Sequence, residues 1–458
     1  MNIGTFDRLL FAYSIGSHIL IVLMSIGLSV ILPVLEYIAI KYKDVYYDLL
    51  TRRVAKALVM FFAVGTASGA VMAVELIDLF PKFMTIIAVV GVLPFYYEIF
   101  AFFLETIMLV SYYYYWDVFK NRMHHWLLTF GVAGGTLASA VFITMINAWM
   151  NTPNGFNISY YEKTGKLIDV NPFITALTPS TGREVFHVVI VTAFAGLMVL
   201  GAFFAYQYLR AKTEEAKTLY MKGLKVTFPM NMFLIIMAGL SGTLEMSGLL
   251  TYQPEKYAAL DLNPYPIARD APEHLFGTIV EKNGHYYVLG GIKIPFVQSL
   301  LAGNGNLNTP VPGLSQFPTS TWPPLAVHDT FDLMVIGGTL LGLFLLSVLI
   351  AWILKKKPYE SKGFMVAQIL FAILTIPIYI GGWVTDEVGR QPWIIYNVMT
   401  VYQAANYSPS IIVPGYLIMA FYTILMPFSY WYAFRLMKQG DVKKEISSYK
   451  MPSTAHGR

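Results

Sequence analysis

The residues with the clearest chemical potential are ionisable or sulfur-bearing groups set inside long apolar runs. Of eight histidines, only His18 and His187 fall clearly within such runs. His124, His125 and His328 lie at run edges, and His274, His285 and His456 in loops or the tail. Met334 lies in a third run, and Glu387 closes a fourth. Imidazole and thioether are haem-iron ligands, and a six-coordinate haem can only pass electrons, whereas a haem with one protein ligand leaves a face open for oxygen. His187 with Met334 suits the first role; His18 and Glu387 suit the second. Glu98 and Glu105 lie seven apart in Pro94–Thr106 (PFYYEIFAFFLET). On a helix that spacing sets both carboxylates on one face, about 10 Å apart, and buried acids so arranged can relay protons. Each residue also has a plainer reading: a hydrogen-bonded packing histidine, one core-filling methionine among 22, or carboxylates satisfied by neighbouring helices.

Composition says what must position these groups. The chain of 458 residues is 56% hydrophobic and 13% charged, with a mean hydropathy of +0.56. A soluble domain carries roughly a quarter of its residues as charged ones, so most of this chain lacks a water-facing surface. The net charge of +5 reads as basic loops on one membrane face, not as a nucleic-acid footprint. With no cysteine, disulfides, iron–sulfur clusters, thiolate zinc sites and covalent c-type haem are excluded. The N-terminus reads as a retained first span, not a cleaved signal peptide.

A span needs about 20 apolar residues to cross about 30 Å of hydrocarbon. Nine candidates fit: 10–37, 57–79, 84–112, 126–150, 187–209, 226–250, 329–354, 363–385 and 412–434. The expected fold is all-α, an integral membrane bundle of nine transmembrane helices. Lys and Arg crowd the alternate connections, for example Lys355–Lys357 and Arg210–Lys225, which sets the N-terminus outside and the C-terminus inside. The chain then divides into 1–250 (six helices), 251–328 (an external loop), 329–434 (three helices) and 435–458 (a cytoplasmic tail). The Tyr112–Trp116 run reads as an interfacial aromatic belt. His18 comes to lie about 12 Å deep, with His187, Met334 and Glu387 also in the outer half. Glu105 is nearer the inside than Glu98.

Gly389-Arg390-Gln391-Pro392-Trp393, preceded by Gly382-Trp383 and Glu387, resembles the GWxxxExGRQPW signature of cytochrome bd-type quinol oxidase subunit I. Arg8–His18 (RLLFAYSIGSH), Ala101–Glu105 (AFFLE), Asn147–Pro153 (NAWMNTP) and Phe331–Gly337 (FDLMVIG) agree in order and spacing. The resemblance implies nine spans in the same orientation. It implies that His187 and Met334 hold a low-spin haem b. His18 and Glu387 hold the two high-spin haems, one b and one d (or a third haem b in its place), and which of them holds haem d stays open. Glu98 and Glu105 match proton-path carboxylates. Lys256 and Asp261, in QPEKYAALD, match a Lys and a Glu implicated in quinol oxidation, and Trp383 and Arg390 match residues flanking the haems. Four departures stand out: Asp332 where the family usually has Arg, Asp261 for Glu, an extra acid at Asp386, and Met72–Leu76 reading MAVEL.

The expected function is a haem-bearing subunit of a terminal oxidase that oxidises membrane quinol and reduces oxygen to water. It builds a proton gradient by charge separation, without pumping. Expected partners are a second membrane subunit, further small single-span subunits, quinol and oxygen, in a prokaryotic plasma membrane. Two rivals are a haem protein that relays electrons or senses oxygen without turnover, and a proton-coupled secondary transporter. The latter predicts inverted repeats, and no internal repeat is visible.

Overall fold

The computed structural model describes residues 2–438 and 440–449; His456 and the end of the 435–458 tail lie outside them. Among the described residues, nine helices are long and apolar enough to cross a membrane. In chain order the helices are α1 (Ile3–Tyr42), α2 (Val45–Leu79), α3 (Pro81–Val90), α4 (Val92–Tyr114), α5 (Arg122–Asn151), α6 (Ile158–Thr164), α7 (Pro172–Ala176), α8 (Thr181–Arg210), α9 (Glu214–Tyr252) and α10 (Pro254–Leu260). They continue with α11 (Val297–Ala302), α12 (Val327–Ile353), α13 (Lys362–Gly389), α14 (Val401–Ala404), α15 (Ile412–Lys438) and α16 (Val442–Ser448). Polar caps set several starts: Asp44 accepts from the Tyr46 and Tyr47 amides, Asn121 from Met123, and Thr213 from Ala216.

One span differs from expectation. The 84–112 run is two helices, α3 and α4, broken at Gly91. Pro94 explains the break: it has no N–H to donate, and its ring opposes the carbonyl four residues earlier, at Val90. Helix α9 also starts earlier than 226, so Lys217, Lys222 and Lys225 ride on its first turns rather than in a loop.

The bundle centre is α1 and α8, the two most buried long helices. They cross backbone to backbone. A Cβ on Gly27 would lie 2.7 Å from the Gly196 carbonyl carbon, and one on Gly196 would strike the Leu23 oxygen. Small residues at such a crossing let helices pack by dispersion alone where lipid offers no hydrophobic drive. Around them α2, α5, α9, α13 and α15 pack in a ring. One end carries the long 253–326 connection, with two antiparallel hairpin-like pairs: β1 (Glu273–Leu275) with β4 (Ile292–Ile294), and β2 (Thr278–Lys282) with β3 (His285–Leu289). This is called the loop end; the opposite, tail end carries α16.

Candidate haem and proton site

His18 lies on the α1–α2 seam. Its Nδ1 is 2.8 Å from Ser68 Oγ, and Gly69 is so close that a Cβ there would sit 3.2 Å from His18 Cε1. His187, on α8, has the same dress: Nδ1 is 2.9 Å from Ser241 Oγ on α9, beside Gly242. Among the described residues neither Nε2 has a protein hydrogen-bond partner. A serine on Nδ1 with Nε2 left for another ligand is the form of a metal-binding histidine. Met334, on α12, faces Gly382 of α13, where a Cβ would sit 3.3 Å from Sδ. The donors present therefore fit haem iron: two oriented imidazoles, a thioether beside a glycine, and the Glu387 carboxylate.

Glu387 ends α13 inside a polar network at the loop end. Its Oε1 accepts from Asn147 Nδ2 at 2.7 Å and its Oε2 from Arg390 at 2.5 Å. Arg390 also donates to Asn147 and Asn151, both at 2.9 Å. Asn151 donates to Glu184 at 3.1 Å and accepts from Gln253 at 3.0 Å. Asp386, the extra acid, receives Lys256 Nζ at 2.6 Å. Trp383 packs one turn away against the main core.

Lys256 and Asp261 are not brought to one open site. Both are buried on the short helix α10 or at its end, 3% and 0% exposed, but Lys256 faces α13 while Asp261 faces the loop. Asp261 Oδ2 accepts from Gln298 at 2.6 Å and its carboxyl meets that of Glu273. Burial first, and for Glu273 the neighbouring Asp261 charge, push both above the usual carboxylate range. Asp332, where the family usually has Arg, accepts from the Phe276 amide at 2.5 Å and lies 3.3 Å from His328 Nε2. It pins the β1–β2 turn onto α12.

Glu98 and Glu105 share one face of α4. Glu105 is buried and accepts from Thr136 Oγ1 on α5 at 2.7 Å. Gly135 makes this seat: a Cβ there would lie 2.7 Å from Glu105 Cβ. Seven residues further on, Tyr112 continues the face into a buried cluster at the tail end. Glu36 accepts from Tyr112 at 2.7 Å and Arg122 at 3.0 Å and lies 2.6 Å from His125 Nδ1, while Arg122 also reaches Asp48 at 2.7 Å. Both His125 nitrogens oppose oxygens, the second being the Tyr112 carbonyl at 2.9 Å. A proton therefore sits between His125 and Glu36, whichever of them owns it. Tyr112 and Trp116 are buried here, so these two do not belong to the expected belt.

Sequence reasoning passed over Glu36, Glu75 and the two asparagines. Glu75 is 2% exposed and accepts from Ser14, one turn before His18 on α1, at 2.7 Å. The rule that singled out Glu98, an acid within an apolar run, would have found it.

Nine long apolar helices among the described residues, enclosing serine-held histidines and buried carboxylates, define an integral membrane protein. The family "Cytochrome bd terminal oxidase subunit I" matches residues 6–441. The chain is 32% identical over 408 residues to a putative cytochrome bd menaquinol oxidase subunit I of Bacillus subtilis, covering 88% of this chain and 89% of that one. It is 26% identical over 416 residues to the cytochrome bd ubiquinol oxidase subunit 1 of the same organism, covering 87% and 85%. It also superposes on the bd oxidase structure from Geobacillus thermodenitrificans with a TM-score of 0.88 at 31% identity, covering 96% of this chain and all of that one. The chain belongs to the cytochrome bd terminal oxidase subunit I family. It is a haem-binding, membrane-embedded subunit of a terminal quinol oxidase, and the transporter and sensor alternatives are not favoured.

Proposed function

We propose that the loop end faces the outside and the tail end the inside, so that quinol oxidation and proton uptake occur on opposite membrane faces. The basic residues crowding the tail-end connections support this orientation. His187 and Met334 would hold a low-spin haem b, and His18 and Glu387 the two high-spin haems, one b and one d or a third b in its place. When bound, the haems supply electron transfer from quinol and the iron at which oxygen is reduced to water. The observation that carries this reading is the matched pair of serine-held histidines, each with an Nε2 that no protein group among the described residues uses.

The chain's own residues then handle protons and orientation. Asn147 and Arg390 hold Glu387 in place. The network of Lys256, Asp386 and Glu184 takes up charge beside it. Glu36 and His125 hold a proton at the tail end, and Glu105 and Glu98 pass protons along α4 toward the loop half. Opposite-sided uptake and release make turnover electrogenic without a pump. A second multi-span subunit, with further small single-span subunits, completes the complex. A reduced-minus-oxidised spectrum of the purified protein, with haem extraction, tests this; absence of haem would end the reading.

A further inference from the structure

The segment after α15 lies outside the nine long apolar helices, but its end reaches a buried carboxylate. Gly440, at φ +97°, turns the chain back, and a Cβ there would strike the Glu445 carboxylate. Helix α16 then packs against α2 and α9. Arg53 of α2 anchors it. This guanidinium is 3% exposed, and it donates to Glu445 at 3.0 Å and to the Met437 carbonyl at 3.1 Å. Just past α16, Tyr449 donates its hydroxyl proton to Asp48 Oδ2. The Arg52 guanidinium lies over both Tyr449 and Trp116, at 5.5 and 4.7 Å from the ring centres, which fixes the phenol against α2.

Asp48 is the far member of the cluster that holds Glu36 and His125. Its other oxygen, Oδ1, accepts from Arg122 Nη2 at 2.7 Å, and the same nitrogen donates to Glu36 Oε1 at 3.0 Å. One nitrogen of α5 thus serves two buried acids, Asp48 of α2 and Glu36 of α1. The remaining Arg122 nitrogens, Nε and Nη1, are buried with no hydrogen-bond partner among the described residues. How that single cation is divided depends on what else each acid receives. Glu36 has Tyr112 of α4 at 2.7 Å and His125 of α5 at 2.6 Å. Asp48 Oδ2 has Tyr449. A buried carboxylate oxygen deprived of its donor is costly, and Asp48 can offset that only by drawing Arg122 to itself. Less positive charge then faces Glu36, and the proton between Glu36 and His125 is released less readily. Tyr112 connects this cluster to the proton-path face of α4, seven residues from Glu105.

We infer that Tyr449 is a positioning residue for proton delivery. Through Asp48 it keeps Arg122 shared between Asp48 and Glu36, and so sets how readily the Glu36–His125 pair passes its proton toward Glu105. The inference rests on the reading that this pair holds the proton. The test is Tyr449→Phe in the whole enzyme complex, with haem content confirming assembly and a short-chain quinol as donor. Expected are a kcat at least about threefold lower, an unchanged KM, and a larger solvent deuterium isotope effect on kcat. Adding Asp48→Asn should restore at least about half of the lost kcat, because a neutral amide no longer competes for Arg122. Wild-type kcat and isotope effect in Tyr449→Phe, or a change in KM alone, would overturn the inference. A lower kcat that Asp48→Asn leaves unrestored would make Tyr449 a merely structural contact and overturn it too. Should the double variant lose its haem, the isotope effect of the single variant decides. Glu36→Gln keeps the two readings apart. Wild-type turnover there overturns the proton role of the cluster, whereas slow turnover there beside a wild-type Tyr449→Phe overturns the role of Tyr449 alone.

Discussion

Lys256 Nζ lies 2.6 Å from the Asp386 carboxylate and 2.9 Å from its backbone oxygen, joining residues 130 apart in the chain. A loop cation is thereby locked onto the end of the helix that carries Glu387. Charge-assisted hydrogen bonds of this kind contribute about 2 kcal/mol, and more is lost when one partner is left buried alone. Lys256→Ala should therefore slow quinol turnover and lower the melting temperature of the complex. Lys256→Ala with Asp386→Asn should recover part of the stability but not the turnover. Equal stability in single and double variants would mean that the pair is not coupled.

His187→Ala and Met334→Leu should each abolish the six-coordinate low-spin signal in reduced-minus-oxidised spectra, because each removes one proposed axial ligand. Ser241→Ala should keep that signal with a shifted midpoint potential, since it only frees the ring that Ser241 holds. An unchanged low-spin spectrum in both ligand variants would refute the assignment.

Glu105→Gln keeps size and hydrogen bonding to Thr136 but removes the exchangeable acid. Steady-state oxygen consumption should fall at least about tenfold, within the usual weight of a lost proton-transfer group, while quinol reduction of the low-spin haem stays fast. Glu36→Gln should slow turnover in the same way if the tail-end cluster feeds the path. Full turnover of Glu105→Gln under excess quinol would return it to a packing role.

The Asp261–Glu273 pair predicts a pH dependence of the loop. Burial raises Asp261 to about 6 and Glu273 to about 10. The folded loop thus binds more protons than the unfolded chain above the ordinary carboxylate range. Stability is then greatest at low pH and falls as pH rises, through about 6 for Asp261 and on toward about 10 for Glu273. The slope approaches about 1.4 kcal/mol per pH unit for each group while it differs between states. Limited proteolysis within 253–326 should accelerate between pH 6 and 9, and Glu273→Gln should flatten that profile. A flat wild-type profile would show that the pair does not share a proton.

The length and apolarity of the spans, the absence of cysteine chemistry and the isolation of His18, His187, Glu98 and Glu105 within hydrocarbon were all legible in the sequence. These are local properties: a span is counted residue by residue, and an acid inside it is costly wherever its neighbours lie. The GRQPW segment added a family, and with it the ligand set proposed above. Tertiary structure alone decided which groups meet. Pro94 split the third apolar run because its ring conflicts with a turn already formed, which hydropathy cannot register. Gly135 lets α5 approach closely enough to seat Glu105, and Gly248 does the same for Arg183. Lys256 and Asp261, five apart in sequence, point into different surroundings because α10 lies between α13 and the loop. Glu36 gained His125 across 89 residues of chain. Such pairings depend on helix crossing and register, which arise from packing of the whole bundle and leave no periodic trace in any one segment.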